Sequence, residues 1–254
     1  MKKILLVFAH PNDESFAVGG SAAKYARAGW QVDLLCATRG ETGAQPPFEK
    51  LAGAALGQIR ERELAEAGEI LGINSITVLD YQDGTLSRQN PGELEDKIFR
   101  RMQELSPAVV VTFDTTGAGN HPDHIKVSYA TTFAFQKYAA QSAQQGELEP
   151  KLYYVCLPES VAGYLREQRV IPPESFGKPW KGVPDKLVST IIDIKRAAAL
   201  KKRALRSYRT QTADVARFLG FPKNPLLSQE YFVLRQQGPR EVFLGKYDRL
   251  TNRF

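Results

Sequence analysis

The segment KKILLVFAHPNDE, residues 2–14, determines the fold that we expect for the whole chain. Its first eight residues form a mostly apolar run, which is typical of a strand buried on both faces of a parallel sheet. The run leads directly into a polar motif, and the small-residue segment Ser15–Gly29 that follows is expected to be a helix. A strand, a polar turn and a helix in this order begin a β–α–β unit.

The same alternation continues through the first 157 residues. It predicts an α/β fold with a Rossmann-like, doubly wound and mostly parallel sheet between two helical layers, with strand order 3-2-1-4-5. The further strands are expected at residues 30–38, 75–80, 108–113 and 152–157, and the further helices at Ile59–Leu71, Glu93–Leu105 and Ile125–Gln145.

The remaining residues carry weaker patterns. Residues 158–190 contain five prolines and are expected to form an irregular, lid-like extension. A helix at Lys195–Gln211 and two late strands, at Tyr231–Leu234 and Glu241–Leu244, follow. We therefore expect a single domain over residues 1–254, with a core at about 1–157 and a C-terminal extension at about 158–254.

Composition places the chain among globular proteins, because 43% of its residues are apolar and can form a sizeable core. The apolar run Ile4–Ala9 is too short for the core of a signal peptide, and no run has the length of a membrane span. A cytoplasmic location is expected. Cys36 and Cys156 each lie in a strand-like run without metal-ligand spacing, which favours two buried free thiols.

The charge is mildly basic, with 34 Lys and Arg against 28 Asp and Glu, and it is dense at Lys195–Arg209. A basic stripe of this kind is compatible with nucleic-acid binding, and also with a rim that attracts an anionic small substrate. A helix with a solvated basic face is the simpler interpretation, and we expect no nucleic-acid partner.

All three histidines lie in two short motifs, AHPNDE at residues 9–14 and NHPDH at residues 120–124. The motifs follow predicted strands 1 and 4, which are neighbours where the strand order reverses. Ligands bind at this switch point in doubly wound sheets. A single His-Pro pair is usually a satisfied turn or helix cap, but two motifs that use every histidine indicate a metal site.

The types of side chain in these motifs suit a catalytic metal. His10, Asp13 and His124 can supply two imidazoles and one carboxylate, which leaves an open coordination position. His121 can face the same cavity without being a ligand, where it could stabilise an oxyanion or protonate a leaving amine. Asp123 could fix a histidine ring through its other nitrogen.

These motifs resemble those of the PIG-L / LmbE-like family of zinc-dependent N-acetylglucosaminyl deacetylases, whose usual forms are AHPDDE and HPDH. Further segments are similar over most of residues 3–130, and the similarity is weaker beyond. They are Thr38–Glu41 with Gly43 for T-x-G-E-x-G, Arg60 and Glu63 for R-x-x-E, Asp83-Gly84 for a D-G loop, and Lys201–Gln211 for a late K-x-x-A-L … S/T-Q segment.

The resemblance implies a hydrolase that releases acetate from an N-acetylglucosamine-type amino sugar with Zn²⁺, or another divalent metal such as Fe²⁺. It implies metal binding by His10, Asp13 and His124, and a general acid and oxyanion partner in His121 that Asp123 orients. It also implies sugar contacts by Glu41, Arg60 and Asp83. Without the resemblance, Arg60 would be interpreted as a solvated helix residue and Asp83 as a turn former. The aglycone (inositol, malate, a lipid or a second sugar) and a homo-oligomeric state stay open.

One residue departs from the family pattern. The first Asp of the family motif is its general base, and this chain has Asn12 there. An amide has nearly the shape of a carboxylate but does not take up a proton at neutral pH. Three explanations are open: an engineered Asp→Asn change that traps a ligand, a weakly active or inactive natural relative that still binds metal and sugar, or another base, Glu14 or Asp114.

Overall fold

The computed structural model describes residues 1–43, 53–144 and 150–236 of the chain. Within these residues a seven-stranded sheet has the order β3-β2-β1-β4-β5-β9-β8. The strands are β1 (Lys3–Phe8), β2 (Gln31–Thr38), β3 (Ser75–Tyr81), β4 (Val109–Phe113), β5 (Lys151–Cys156), β8 (Thr190–Asp193) and β9 (Gln229–Gln236), and a separate hairpin pairs β6 (Glu174–Ser175) with β7 (Lys178–Pro179).

Helices connect the strands and flank the sheet. They are α1 (Asp13–Arg27), α2 (Gly53–Leu71), α3 (Glu93–Leu105), the single irregular turn α4 (Gly117–Asn120), α5 (Pro122–Gln144), α6 (Glu159–Glu167), α7 (Ala198–Ser207) and α8 (Thr212–Leu219). Helices α1, α2 and α7 pack together in one layer, and α3 and α5 pack together in another. The three-layer α/β architecture is confirmed.

The predicted order of the first five strands is also confirmed. β1 pairs in parallel with both β2 and β4, so the direction of winding reverses between β1 and β4. Leu5 and Val110 are partners across this pair and are both fully buried. Continuous apolar strands are expected where helices cover both faces. The two histidine motifs therefore leave the sheet from adjacent strands at the same edge.

The C-terminal part of the chain completes the sheet. β9 pairs antiparallel with β5, and β8 pairs antiparallel with β9. The predicted strand Tyr231–Leu234 lies inside β9, whereas Glu241–Leu244 falls outside the described residues. β8 was not predicted, because its four residues, TIID, are too few for a clear periodic pattern.

Residues 158–190 are more regular than predicted. The helix α6 begins directly after Pro158, and the β6–β7 hairpin follows it. Asn120 Nδ2 donates hydrogen bonds to the carbonyl oxygens of Ser175, Lys178 and Pro179 over 3.1–3.4 Å. This segment is thereby tied to the loop that carries His121.

The basic segment forms a helix that packs into the core. The predicted helix Lys195–Gln211 is α7 flanked by two 3-10 turns, and Ala204 and Leu205 are fully buried. The predicted helix Ile59–Leu71 is also longer, since α2 begins at Gly53. Among the described residues, none of the helices has both the length and the apolar character needed to cross a bilayer.

A buried ion pair joins α7 to the antiparallel edge of the sheet. Lys201 Nζ lies 2.7 Å from Glu230 Oε1, and both side chains are at most 1% exposed. The Glu230 carboxylate also accepts hydrogen bonds from the backbone N–H groups of Gly20 and Ser21 in α1. One carboxylate therefore links α1, α7 and β9.

We expect Lys201→Met to lower the free energy of unfolding by roughly 3–5 kcal/mol, because it leaves the Glu230 carboxylate buried without its counterion. The measurement is urea unfolding. The double variant Lys201→Met/Glu230→Gln should recover much of the loss, and Lys186→Met, at an exposed position, is the matched control. A single variant as stable as this control would contradict the prediction.

Candidate active site

The three histidines meet at the edge where β1 and β4 end. The ring centroids of His10 and His121 are 4.7 Å apart, those of His10 and His124 are 5.1 Å apart, and those of His121 and His124 are 4.5 Å apart. His10 follows β1, and the other two lie at the start of α5. The rings come together although 110 residues or more separate the two motifs in the chain.

Two groups of side chains in this cluster have ligand atoms within 4.8 Å of one another: His10 with His121 and His124, and His10 with Asp83 and Asp123. Asp13 lies beside two members of the first group. Its Oδ2 is 3.5 Å from His10 Nδ1 and its Oδ1 is 3.4 Å from His124 Nε2, and these two nitrogens are 3.1 Å apart.

The distance between the two nitrogens fits a single small cation. Ligand atoms at the corners of a tetrahedron, with metal–ligand bonds of about 2.0–2.1 Å, lie about 3.3 Å from one another. His10 Nδ1 and His124 Nε2 are 3.1 Å apart, and each has a different oxygen of the Asp13 carboxylate beside it.

The outer partners of both imidazoles fix the tautomers that a metal requires. His124 Nδ1 lies 3.0 Å from the carbonyl oxygen of Gly117, so Nδ1 carries the proton and Nε2 presents a lone pair. His10 Nε2 lies 2.9 Å from Asp83 and 3.4 Å from Asp123, so the neutral form of this ring keeps its proton at Nε2 and presents its lone pair at Nδ1. A second hydrogen bond of this kind is the usual support for a metal-binding histidine.

The electrostatics of the cluster favour a positive charge. Burial disfavours the imidazolium form of His10, but Asp123, Asp13 and Asp83 together raise its pKa well above the ordinary value. Burial also disfavours the carboxylate of Asp13, yet His124 and His10 hold its pKa well below its usual range. Burial lowers the pKa of His124 to about 4, which keeps this ring neutral and able to bind a metal.

Asp123 and Asp83 both support His10. The carboxylate of Asp123 accepts hydrogen bonds from the backbone N–H groups of Gly84 and Leu86, and its remaining contact is His10. Asp123 meets His121 through its backbone N–H, which donates to His121 Nδ1 at 3.2 Å. The structure therefore places the Asp123 carboxylate against His10, and not against the His121 ring.

His121 presents its other nitrogen to the crevice. Because Nδ1 accepts a hydrogen bond, the neutral ring carries its proton on Nε2. Burial lowers the pKa of His121, which favours the neutral ring. Phe176, from the turn between β6 and β7, packs edge-on against this ring at 4.6 Å. The geometry suits a hydrogen-bond donor that the hairpin partly covers.

Asn12 lies at the turn between β1 and α1. Its φ of 98° is in the left-handed region, which Asn and Asp tolerate better than most residues. Its backbone carbonyl accepts hydrogen bonds from Ser15 and Phe16 at the start of α1. Asn12 lines the same crevice as His10, Asp13 and His121.

Arg60 and Glu63 hold the loops around the site. Arg60 is buried and donates to the backbone carbonyls of Gly40 and Pro11, so it joins the turn after β2 to the turn after β1. Gly40 has a φ of +66°, and a Cβ there would overlap the Arg60 guanidinium. Glu63, one turn further along α2, accepts two hydrogen bonds from Thr210.

Two of the three expected sugar contacts line the crevice. It has a volume of about 510 Å³ and is lined by Arg60 and Asp83 but not by Glu41. Glu41 instead accepts a hydrogen bond from the backbone N–H of Asp83 at 2.9 Å. Glu41 thus holds the Asp83 loop in place.

Three residues that line this crevice were not predicted from the sequence, Thr42, Phe176 and Asp214, and a fourth, Gln211, ends the S/T-Q segment for which no role was predicted. Thr42 directly follows Glu41 and donates two hydrogen bonds to Asp83, so the T-x-G-E-x-G segment could have indicated it. Asp214 is half exposed and lies 3.5 Å from Arg217. Phe176 and Asp214 lie in parts of the chain without a motif, and no signal in the sequence places them here.

The two carboxylates considered as substitutes for the missing base point elsewhere. Glu14 is buried, and its oxygens accept from Ser15, Tyr208 and the backbone of Asn12. Burial raises the pKa of Glu14 to about 7. Asp114 accepts two hydrogen bonds from Thr116. Neither lines the crevice, whereas Asp214 does.

Fold and site together define a class of α/β proteins that carry, at the switch point of a mostly parallel sheet, a His/Asp cluster that could hold a metal ion. The model of the PIG-L family, described as GlcNAc-PI de-N-acetylase, matches residues 5–135. A relative from Kineococcus radiotolerans, a 1D-myo-inositol 2-acetamido-2-deoxy-alpha-D-glucopyranoside deacetylase, is 34% identical over 249 residues, which are 83% of this chain and 69% of that protein. The chain belongs to the PIG-L family.

Solved structures share the fold at lower identity. The 4-carboxy-2-hydroxymuconate hydratase GalB from Pseudomonas putida KT2440 is similar with a TM-score of 0.69 and 18% identity, covering 95% of this chain and 99% of that one. The N,N'-diacetylchitobiose deacetylase from Pyrococcus horikoshii has a TM-score of 0.67 and 20% identity, covering 92% and 83%. A hydratase and a deacetylase on one fold show that the reaction must be argued from the site.

We expect Arg60→Lys to lower the free energy of unfolding by about 2–4 kcal/mol, because a single ammonium cannot reach both carbonyls that the guanidinium joins. Thermal or urea unfolding measures the loss. Arg62→Lys, two residues along the same helix and exposed, is the matched control. Equal stability of the two variants would show that the Arg60 contacts do not hold the loops.

Proposed function

We propose that this chain is a metal-dependent hydrolase that removes the acetyl group from an N-acetylglucosamine-type amino sugar. One observation carries the proposal: His10 Nδ1 and His124 Nε2 lie only 3.1 Å apart beside the Asp13 carboxylate. The carboxylates around His10 favour a positive charge at this pair of nitrogens, which either a proton on His10 or a metal ion held by both rings would supply. Membership of the PIG-L family supports the choice of reaction.

His10, Asp13 and His124 would hold the metal, with Zn²⁺ the first choice and Fe²⁺ an alternative. Two imidazoles and one carboxylate are a common catalytic zinc set. A divalent metal bound there would polarise the substrate carbonyl and lower the pKa of water. The residues around the three ligands determine which substrate is bound and where protons move.

In amide hydrolysis, the oxygen of water bonds to the carbonyl carbon, the C–N bond breaks, and the leaving nitrogen takes a proton. His121 Nε2–H would donate a hydrogen bond to the carbonyl oxygen as its negative charge develops. The lowered pKa of His121 favours this donor role over that of a strong acid. Asp83 and Asp123 keep His10 in the tautomer that binds metal.

The polar crevice suits the sugar. Thr42 and Gln211 line its walls with polar side chains, next to Asp83 and Arg60, whose own contacts hold the loops. The similar enzymes named above act on a glucosaminyl inositol and on a chitobiose, so the shared part is an N-acetylglucosamine unit. The aglycone differs between them, and we leave it open for this chain.

Asn12 supports a second candidate, a relative that binds metal and amino sugar with little or no turnover. The Asn12 amide can hold a water molecule by hydrogen bonds, but it does not accept a proton from it at neutral pH. Asp214 is the carboxylate of the crevice that lies outside the His10 cluster, and its ion pair with Arg217 is solvent-exposed. Asp214 is therefore a better candidate for a substitute base than Glu14 or Asp114.

We expect the purified chain to bind about one divalent metal, and Asp123→Asn to weaken binding by roughly 10–100-fold, because the amide supports the His10 tautomer less well. Metal titration monitored by competition with a chelating dye measures this. Asp185→Asn, at an exposed Asp that caps Ser160, is the matched control. Binding that is unchanged in Asp123→Asn and in His124→Ala would refute the metal site.

We expect Asn12→Asp to raise the rate of acetate release from an N-acetylglucosaminide by about 10²–10⁴-fold, because it introduces a proton acceptor at a backbone position that Asp also tolerates. The metal content should stay the same. The residual activity of the unaltered chain should fall in Asp214→Asn if Asp214 is the substitute base. If Asn12→Asp retains its metal but releases no acetate from any N-acetyl amino sugar, the reaction assigned here is wrong.

A further inference from the structure

A second cavity opens beside the candidate metal ligands. It has a volume of about 430 Å³ and reaches from α1 to the antiparallel edge of the sheet and the segment after α6. Its walls are mainly apolar and aromatic, with Phe16, Phe113, Val155, Ile171, Trp180 and Tyr231 among them. The volume is that of a pocket for an organic group much larger than a methyl.

The charged residues of this cavity that lie away from the histidine cluster are in ion pairs. Glu230 is neutralised by Lys201 at 2.7 Å, and Asp214 and Arg217 are half exposed and lie 3.5 Å from each other. Burial raises the pKa of the Cys156 thiol to about 12, so this side chain is a neutral part of the wall. The interior of the cavity therefore offers little to a hydroxylated sugar.

Two of the three candidate metal ligands lie at the boundary between two chemically different spaces. Asn12, Asp13 and His124 line both the apolar cavity and the polar crevice. The crevice contains Arg60, Asp83 and His121, whereas the cavity contains none of them. A molecule that reacts at this boundary can extend a polar part to one side and an apolar part to the other.

An amide has two sides, because the carbonyl carbon joins the amine part to the acyl part. If the sugar lies in the polar crevice, its acyl group points away from the sugar and into the apolar cavity. We propose that this chain acts on N-acyl amino sugars whose acyl chain is longer than acetyl, of about six to ten carbons, and that the apolar cavity binds this chain. The inference rests on the proposed amide hydrolysis and specifies its substrate class.

The size of the effect follows from apolar burial. Each methylene that leaves water for an apolar site favours binding by about fourfold. An octanoyl group has six more methylenes than an acetyl group. Because an acyl chain loses freedom when it is bound, we expect a gain in kcat/KM on the order of 10²-fold or more for N-octanoylglucosamine over N-acetylglucosamine.

The decisive experiment compares three substrates with the chain as it stands and with Asn12→Asp. They are N-acetylglucosamine, N-octanoylglucosamine, and the octyl glycoside of N-acetylglucosamine, and the released amine is measured in each case. Preference for the N-octanoyl compound supports the inference. Preference for the octyl glycoside, or equal rates for all three, overturns it, while turnover of the acetyl compounds would still leave the proposed reaction standing.

If turnover is absent, a binding measurement tests the acyl-binding cavity separately from the proposed hydrolysis. The chain has two tryptophans, and Trp180 lines the cavity while Trp30 is buried near the start of β2. In a Trp30→Phe background, N-octanoylglucosamine should shift the emission of Trp180 to shorter wavelength at concentrations where N-acetylglucosamine does not. A shift of the emission without amine release would refute the proposed reaction but would support binding of the acyl chain in the cavity. The absence of any shift would overturn the inference.

A space-filling variant tests whether the acyl chain lies in the apolar cavity. Ala17 lies on α1 one turn after Asp13 and lines the cavity. Ala17→Leu should lower the ratio of kcat/KM for N-octanoyl over N-acetyl substrate by at least about tenfold, because the added side chain occupies the cavity. Ala140→Leu, at an exposed position of α5, is the control and should keep the ratio. An unchanged ratio in Ala17→Leu would show that the acyl chain lies outside the cavity, and would overturn the inference.

Discussion

The close approach of His10 Nδ1 to His124 Nε2 is the constraint on which the site depends. These nitrogens lie 3.1 Å apart, with Asp13 oxygens at 3.5 and 3.4 Å, so the arrangement requires a positive charge, either a proton on His10 or a metal ion. The protein maintains it with partners on the far side of each ring, a backbone carbonyl for His124 and two carboxylates for His10. The cost of burying these groups is offset because each one has a partner.

The turns that carry the candidate ligands are held by motif residues, two of which, Glu41 and Arg60, the family resemblance suggested as sugar contacts. Arg60 joins the turns after β1 and β2, Glu41 fixes the Asp83 loop, and Glu63 fixes the segment at Thr210. These interactions connect different loops over long sequence separations. Their common effect is to hold the polar side chains of one crevice in fixed positions, which a catalytic site requires.

The first half of the fold could be predicted because its strands are continuous apolar runs and its helices have clear periodicity. The convergence of His10 with His121 and His124 then followed from strand order alone. The part that could not be predicted depends on tertiary contacts. The four-residue strand β8, the helix α6, and the positions of Phe176 and Asp214 have no local signal. The partner of the Asp123 carboxylate, His10 rather than His121, depends on rotamers that spacing does not determine.

Asn12 lies next to the apolar cavity as well as next to the candidate metal ligands. It lies where the polar crevice and the apolar cavity meet, beside Asp13 and His124. A carboxylate at this half-buried position would add a negative charge next to Asp13, which costs free energy unless a metal compensates it. An amide avoids that cost and gives up proton transfer. The hydrolysis proposed here would therefore depend on another group that can accept the proton.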